Sequence, residues 1–302
     1  MEIALALGGG GSRGYAHVGV LRRLEREGYR VRALAGTSAG GIVAAFYAAG
    51  YTPDEMEGRF MELDASRLYG RDEEDGPGLL GLAGARRVLQ EFLGERTFAD
   101  LHLPCALTAV DVRTGREVIL KEGRVVDAVL ATIAVPGVFP PKMIDGHELV
   151  DGGVLDPVPV SVARALAPSL PVVAVVLTPQ TEPAANLDQL PLPVPLPAPV
   201  LRRLTQTRIA QAFRIFAASV DIGARMLSEL RLQVDEPEVI IRPDVGHIGL
   251  LDRVDVADVI RRGDTATEMV LSALKRSVSW PSQVGRRLFP HRGRLPRAGD
   301  LP

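Results

Sequence analysis

Two short apolar runs near the start of the chain each end in glycine. EIALAL at 2–7 breaks into GGGGSRG at 8–14, and VRALA at 31–35 breaks into GTSAGG at 36–41. Each glycine stretch lies between an apolar run of strand length and a helical pattern. The opening third is thereby committed to alternating β and α elements. The same rhythm continues. Apolar runs at 105–110, 171–177 and 239–242 read as strands, and 105–120 as a hairpin around Thr114-Gly115. Helical patterns cover about 15–27, 85–93, 124–134 and 254–278. Thr52-Pro53-Asp54-Glu55 is a helix start, with a threonine cap, proline first and acids in the first turn. Strands alternating with helices predict an α/β fold: a mostly parallel sheet with helices on both faces.

The bulk properties exclude several classes. With 302 residues, 46% hydrophobic and 24% charged, the chain is neither disordered nor a multi-span membrane protein. A net charge of −2 gives no field for nucleic acid. Cys105, the one cysteine, excludes an internal disulfide and suits a reducing cytosol. The first apolar run is too short for a signal peptide. Residues 33–49 are broken by Gly36, Gly40 and Gly41, so they do not read as a membrane span.

Gly36-Thr37-Ser38-Ala39-Gly40 is G-x-S-x-G between a strand and a helix. A sharp strand-to-helix turn strains the serine backbone and crowds residues two positions away. Glycine on both sides relieves that crowding and leaves the hydroxyl exposed. An ordinary glycine-rich helix start with an N-cap serine fits the same letters. Gly9, Gly11 and Gly14 also spell G-x-G-x-x-G. A dinucleotide site needs an acid about 20 residues on, and VRALAG carries none there. The better reading is a nest of backbone N–H groups that receives an oxyanion. Asp151-Gly152-Gly153 places a carboxylate before a two-glycine turn, where it is able to take a serine proton without an imidazole. His17 sits in a helical pattern and reads as a packing residue. His102, His147, His247 and His291 have no local signature. No His, Cys or carboxylate spacing reads as a metal site.

The combination of a glycine nest at 8–14, G-x-S-x-G at 36–40 and D-G-G at 151–153 resembles the patatin-like phospholipase family. The likeness is strongest to its bacterial members and to the catalytic domains of neuropathy-target-esterase-type lysophospholipases. The stretches ALALGGGGSRGYAHVGVLRRLE, LAGTSAGGIVAAFYAAGYT, AVPGVFPPKMIDGHELVDGGVLDPVPVSVARAL and VIIRPDVGHIG carry it. The resemblance implies a three-layer patatin-like fold and a Ser-Asp dyad, with Ser38 as nucleophile and Asp151 as base. It implies Gly9, Gly10 and Gly11 as oxyanion donors, with Arg13 bracing the loop or attracting a phosphate. Gly14, Gly36, Gly40, Gly152 and Gly153 complete the motifs. No cofactor and no metal are implied. The expected substrate is a lipid or lysophospholipid ester, and the expected location is the cytoplasm, with peripheral contact at the inner face of an anionic membrane. Plant patatins often place aspartate where this chain has Gly8.

Three alternatives stay open on residues alone. An α/β-hydrolase triad would place its serine after several strands, and Ser38 follows the second. An acyltransferase would use the same acyl-enzyme. A non-catalytic membrane module would have no need of an intact Ser38, Asp151 and nest. In organisation, residues 1–278 read as one catalytic domain and 279–302 as a loose arginine- and proline-rich tail. LPLPVPLPAPV at 190–200 cannot form a central strand. Residues 188–212 are therefore expected to form a lid or membrane-contact insertion. Residues 213–230 are expected to pack their apolar face on the domain and leave their arginines solvated.

Overall fold

The structure is a computed structural model that describes residues 1–63, 68, 70, 78, 80–178, 208–279 and 282. It opens with β1 (Glu2–Leu7), buried from Ile3 onward. A 3-10 turn (Gly11–Tyr15) runs straight into α1 (Ala16–Arg26). Next come β2 (Arg30–Gly36), α2 (Ala39–Ala48) and α3 (Pro53–Glu62). α3 starts on the expected Thr52, whose hydroxyl and Glu55 close a capping box. Then follow α4 (Ala83–Leu93), β3 (Cys105–Asp111), β4 (Arg116–Leu120) and α5 (Val125–Thr132). A hairpin of β5 (Lys142–Ile144) and β6 (His147–Asp151) precedes α6 (Val160–Leu166) and β7 (Val172–Val175). α7 (Arg208–Asp235), β8 (Val239–Ile241), α8 (Val256–Met269) and α9 (Leu271–Ser277) follow.

One eight-stranded sheet runs in the order β5-β6-β3-β2-β1-β7-β8, with β4 also paired to β3. β1 lies parallel to β2 and β7, β2 to β3, and β7 to β8. The β3–β4, β3–β6 and β5–β6 pairings are antiparallel. The expected α/β fold holds, with 2–7 and 31–35 in one sheet. Leu7 pairs with Gly36, so both glycine loops leave the sheet at one level. Gly36 in turn pairs with Leu107, and Ala109 with Asp151. Three segments far apart in sequence therefore meet at one end of the sheet.

The two faces of the sheet differ in grain. Ile3, Leu5, Leu7, Leu34 and Leu107 point to one side, under α1, α2 and α8. Ala4, Ala6, Ala33, Ala35 and Ala106 point to the other, under Val158, Val160, Val162 and Ala163. The small-residue face lets the 156–163 segment lie close against the strands.

Of the apolar face expected over 213–230, Leu227 is half-buried and Leu230 exposed, and the side chains of Phe213, Phe216 and Val220 lie outside the described residues. Along α7, Ile215, Ile222, Met226, Leu230 and Val234 are all exposed. They share one side of the helix at 100° per residue. The opposite side carries the buried Ser228 and Leu232, and Arg231, which turns inward to Asp156 at 2.9 Å. Pairing Asp156 with Arg231 matters because an unpaired interior charge costs several kcal/mol. α7 ends under Arg164, whose guanidinium donates to the carbonyls of Asp235 and Glu236. Of the expected insertion at 188–212, residues 208–212 begin α7 and the rest lies outside the described residues. So does the tail from 280 onward, apart from Ser282. Among the described residues, no helix is long and apolar enough to cross a membrane.

Candidate active site

Ser38 sits between β2 and α2 with φ 54° and ψ −125°. It is one of three non-glycine residues with positive φ among those described. The turn is as tight as the spacing demands. A Cβ on Gly40 would fall 2.1 Å from the Leu7 carbonyl oxygen, and one on Gly36 would fall 2.6 Å from the Gly41 Cα. The Ser38 hydroxyl makes no capping bond to α2, which sets aside the ordinary N-cap reading. The backbone N–H of Ser38 donates to the Thr132 hydroxyl at 2.9 Å, which pins the elbow.

Asp151 closes β6 and is buried. Its backbone N–H donates to the Ala134 carbonyl at 3.0 Å. Its carboxylate accepts from the Gly153 N–H at 2.8 Å and from the Ser38 side chain. Burial pushes the carboxyl up to about 6, against the pull of those two hydrogen bonds. Gly152 is required by space, because a Cβ there would meet the Thr108 hydroxyl at 2.1 Å. A carboxylate poised near neutrality beside a serine hydroxyl is competent to accept its proton.

The glycine loop lies against this pair. A Cβ on Gly9 would sit 3.2 Å from the Ser38 Cβ. The expected role of Gly9 as a donor is corrected, because its N–H is already given to the Pro157 carbonyl at 2.9 Å. That bond holds the loop down instead. Among the described residues, no acceptor takes the N–H groups of Gly10 and Gly11, and they open the 3-10 turn into α1. Gly11 has φ 55°, and a Cβ there would collide with the Leu250 carbonyl oxygen at 2.0 Å. Gly14 packs on Ala39, where a Cβ would come within 2.6 Å of the alanine Cβ. Arg13 is a brace: it is 1% exposed, and its Nε donates to the Ile248 carbonyl at 2.6 Å. A guanidinium that deep is not placed to attract a phosphate from solvent.

His17 is buried beneath the loop, as a packing residue should be. Its Nε2 bonds the Gly8 carbonyl at 2.8 Å, and burial pushes its pKa down to about 4. Sequence reasoning missed Thr37, Thr108 and Thr132. Thr37 Oγ1 bonds the Thr108 hydroxyl at 2.7 Å and the Asp156 carbonyl at 2.8 Å. Isolated threonines carry no pattern, and only the sheet brings these together.

This sheet, with an elbow after its second strand facing a D-G-G turn and a glycine loop, defines a patatin-like fold. Residues 5–164 match the Patatin family profile, patatin-like phospholipase. The chain belongs to that family. It is 36% identical over 163 residues to an NTE family protein of Mycobacterium bovis, covering 53% of this chain and 45% of that one. It is 31% identical over 282 residues to an NTE family protein of Mycobacterium tuberculosis, covering 90% and 47%. Patatin-like phospholipase domain-containing protein 6 of Mus musculus is 31% identical over 171 residues, covering 54% of this chain and 13% of its own. The chain thus spans about half the length of the bacterial relatives it matches. Among solved structures, VipD from Legionella pneumophila aligns with a TM-score of 0.58 at 13% identity. It covers 90% of this chain and 67% of its own, and shares the fold.

Proposed function

We propose that the chain is a serine lipid acyl hydrolase, cleaving carboxylic esters of phospholipids or lysophospholipids through an acyl-Ser38 intermediate. One observation carries the reading: a serine held at positive φ, its hydroxyl free of capping, beside a buried carboxylate at about 6. Asp151 takes the hydroxyl proton as Ser38 Oγ attacks the ester carbonyl carbon. The oxyanion forms against the N–H groups of Gly10 and Gly11, each donor lowering the barrier by about 3 kcal/mol. Asp151 returns the proton to the leaving alcohol. Water, deprotonated by the same carboxylate, then releases the fatty acid and restores the serine. On this reading the chain needs no metal or cofactor. It works in the cytoplasm and meets lipid at the inner face of an anionic membrane, with 188–212 as contact segment and 1–278 as catalytic unit.

The test is a fluorophosphonate label followed to its residue, alongside turnover of p-nitrophenyl esters and lysophospholipids in EDTA. Labelling at Ser38 alone, with turnover lost in Ser38→Ala, is expected. Labelling at another residue, or turnover surviving that substitution, overturns the reading. Acyl transfer to an added alcohol in preference to water would reassign it as an acyltransferase.

A further inference from the structure

Asp156 has no place in the motifs that define the site, yet it is a carboxylate residue with 0% exposure. Its backbone and that of Pro157 touch all three parts of the site. The Asp156 carbonyl accepts from Thr37 Oγ1 at 2.8 Å, one residue before Ser38. The Asp156 N–H donates to the Gly152 carbonyl at 2.8 Å, one residue after Asp151. The Pro157 carbonyl accepts from the Gly9 N–H at 2.9 Å, at the head of the glycine loop. Two consecutive residues thus join the elbow, the carboxylate turn and the glycine nest, which otherwise come from separate strands.

Backbone bonds of this kind do not require an aspartate. The side chain answers a different need. Its carboxylate lies 2.9 Å from Arg231 Nη2 of α7, and Arg231 Nε lies 3.5 Å from Asp235. Glu117 of β4 faces the same carboxylate. Sinking an ion pair this far from water gains little net stability, and a neutral residue of the same size would serve stability as well. What the pair supplies is a fixed position. Arg231 is the cation that α7 brings to the Asp156 carboxylate, which the Val158 N–H and Glu117 also meet.

We propose that Asp156 is a positioning residue for the Ser38–Asp151 dyad, clamped in place by Arg231, so that α7 holds the active site in register. This rests on the dyad reading above. The pair acts through the junction and touches no substrate. Misplacement by about 1 Å is enough to cost orders of magnitude in rate, so the loss should fall on kcat and not on KM.

The experiment uses the full chain and a soluble p-nitrophenyl ester, with folding followed by circular dichroism and thermal melting. Asp156→Asn keeps the volume and removes the charge. Arg231→Met removes the clamp, and Arg231→Lys keeps its charge. Folded Asp156→Asn and Arg231→Met are each expected to lose at least about tenfold in kcat, with KM within about twofold of wild type. Arg231→Lys should recover much of the loss, and the double variant Asp156→Asn/Arg231→Met should be no worse than the worse single one, because the two act as a unit. If Arg231→Met does not fold, Asp156→Asn and Arg231→Lys carry the test. Wild-type kcat in Asp156→Asn, a loss confined to KM, or multiplicative losses in the double variant would overturn the proposal. Ser38→Ala separates the two readings. If it stays active, the dyad falls. If it is dead while the Asp156 variants are unimpaired, only the clamp falls.

Discussion

Asp151 and Ser38 are both held in states that a free chain would avoid, and each leaves a measurable trace. Burial raises the Asp151 carboxyl from 3.8 to about 6. A group with a raised folded-state pKa contributes stability that is complete below about pH 4 and is lost as pH climbs through about 6. Asp151→Asn escapes that loss while keeping an oxygen for the Gly153 N–H. It should therefore abolish turnover and raise stability at pH 8, on the order of 2 kcal/mol, with no gain at pH 4. Denaturant melts at the two pH values check this, and an unchanged difference between them would count against a buried, titrating carboxylate. The wild-type kcat/KM should rise with pH through about 6, since the base must be charged. Ser38 carries its burden in the backbone. At φ 54° it sits where a side chain costs about 1–3 kcal/mol. Ser38→Gly should be inactive and yet more stable than the equally inactive Ser38→Ala, by roughly 1 kcal/mol after the entropy glycine adds to the unfolded chain. The spacing of Gly36 and Gly40 around Ser38 made the elbow legible in sequence. The loss of the Gly9 N–H to Pro157 was not, because a donor's partner lies in tertiary structure.

At the scale of elements, local signals foretold local structure. Thr52 and Glu55 cap α3 as their letters require, and the apolar runs at 2–7, 31–35 and 105–110 are strands. α7 shows where such signals stop. Its inner side meets Asp156, some 75 residues upstream, through Arg231. No window along α7 contains that ion pair. α6 and the short hairpin β5–β6 carry too little periodicity to read, being about two turns and a few residues long. The exposed side of α7 makes its own prediction. Leu230 is 50% exposed, so Leu230→Gln should change stability by less than about 0.5 kcal/mol, where a core leucine would cost several times more. A thermal melt settles the orientation, and a large drop would mean that Leu230 is covered in solution.

Over the whole molecule, the site exists because three separate loops emerge at one end of a single sheet. The order of motifs in the chain hinted at this, and only strand pairing establishes it: Leu7 against Gly36, Ala109 against Asp151. The sheet's two faces then divide the tolerance of the fold. Ala6 lies on the alanine face at 0% exposure, beneath the segment that carries Val158 and Val160. Ala6→Leu should cost about 1–3 kcal/mol through overpacking, and should also lower kcat, since it pushes on the 156–163 segment. Leu5→Met, on the opposite face, should cost less than about 1.5 kcal/mol and leave kcat alone. Equal penalties for the two would contradict the asymmetry. Over long divergence the same asymmetry acts as a ratchet. The leucine face has many neighbours of similar volume to drift through, while alanine has only glycine, serine or cysteine within reach. Descendants of this chain are thus free to rewrite the layer under α1, α2 and α8, but they inherit the layer beneath the 156–163 segment almost letter for letter.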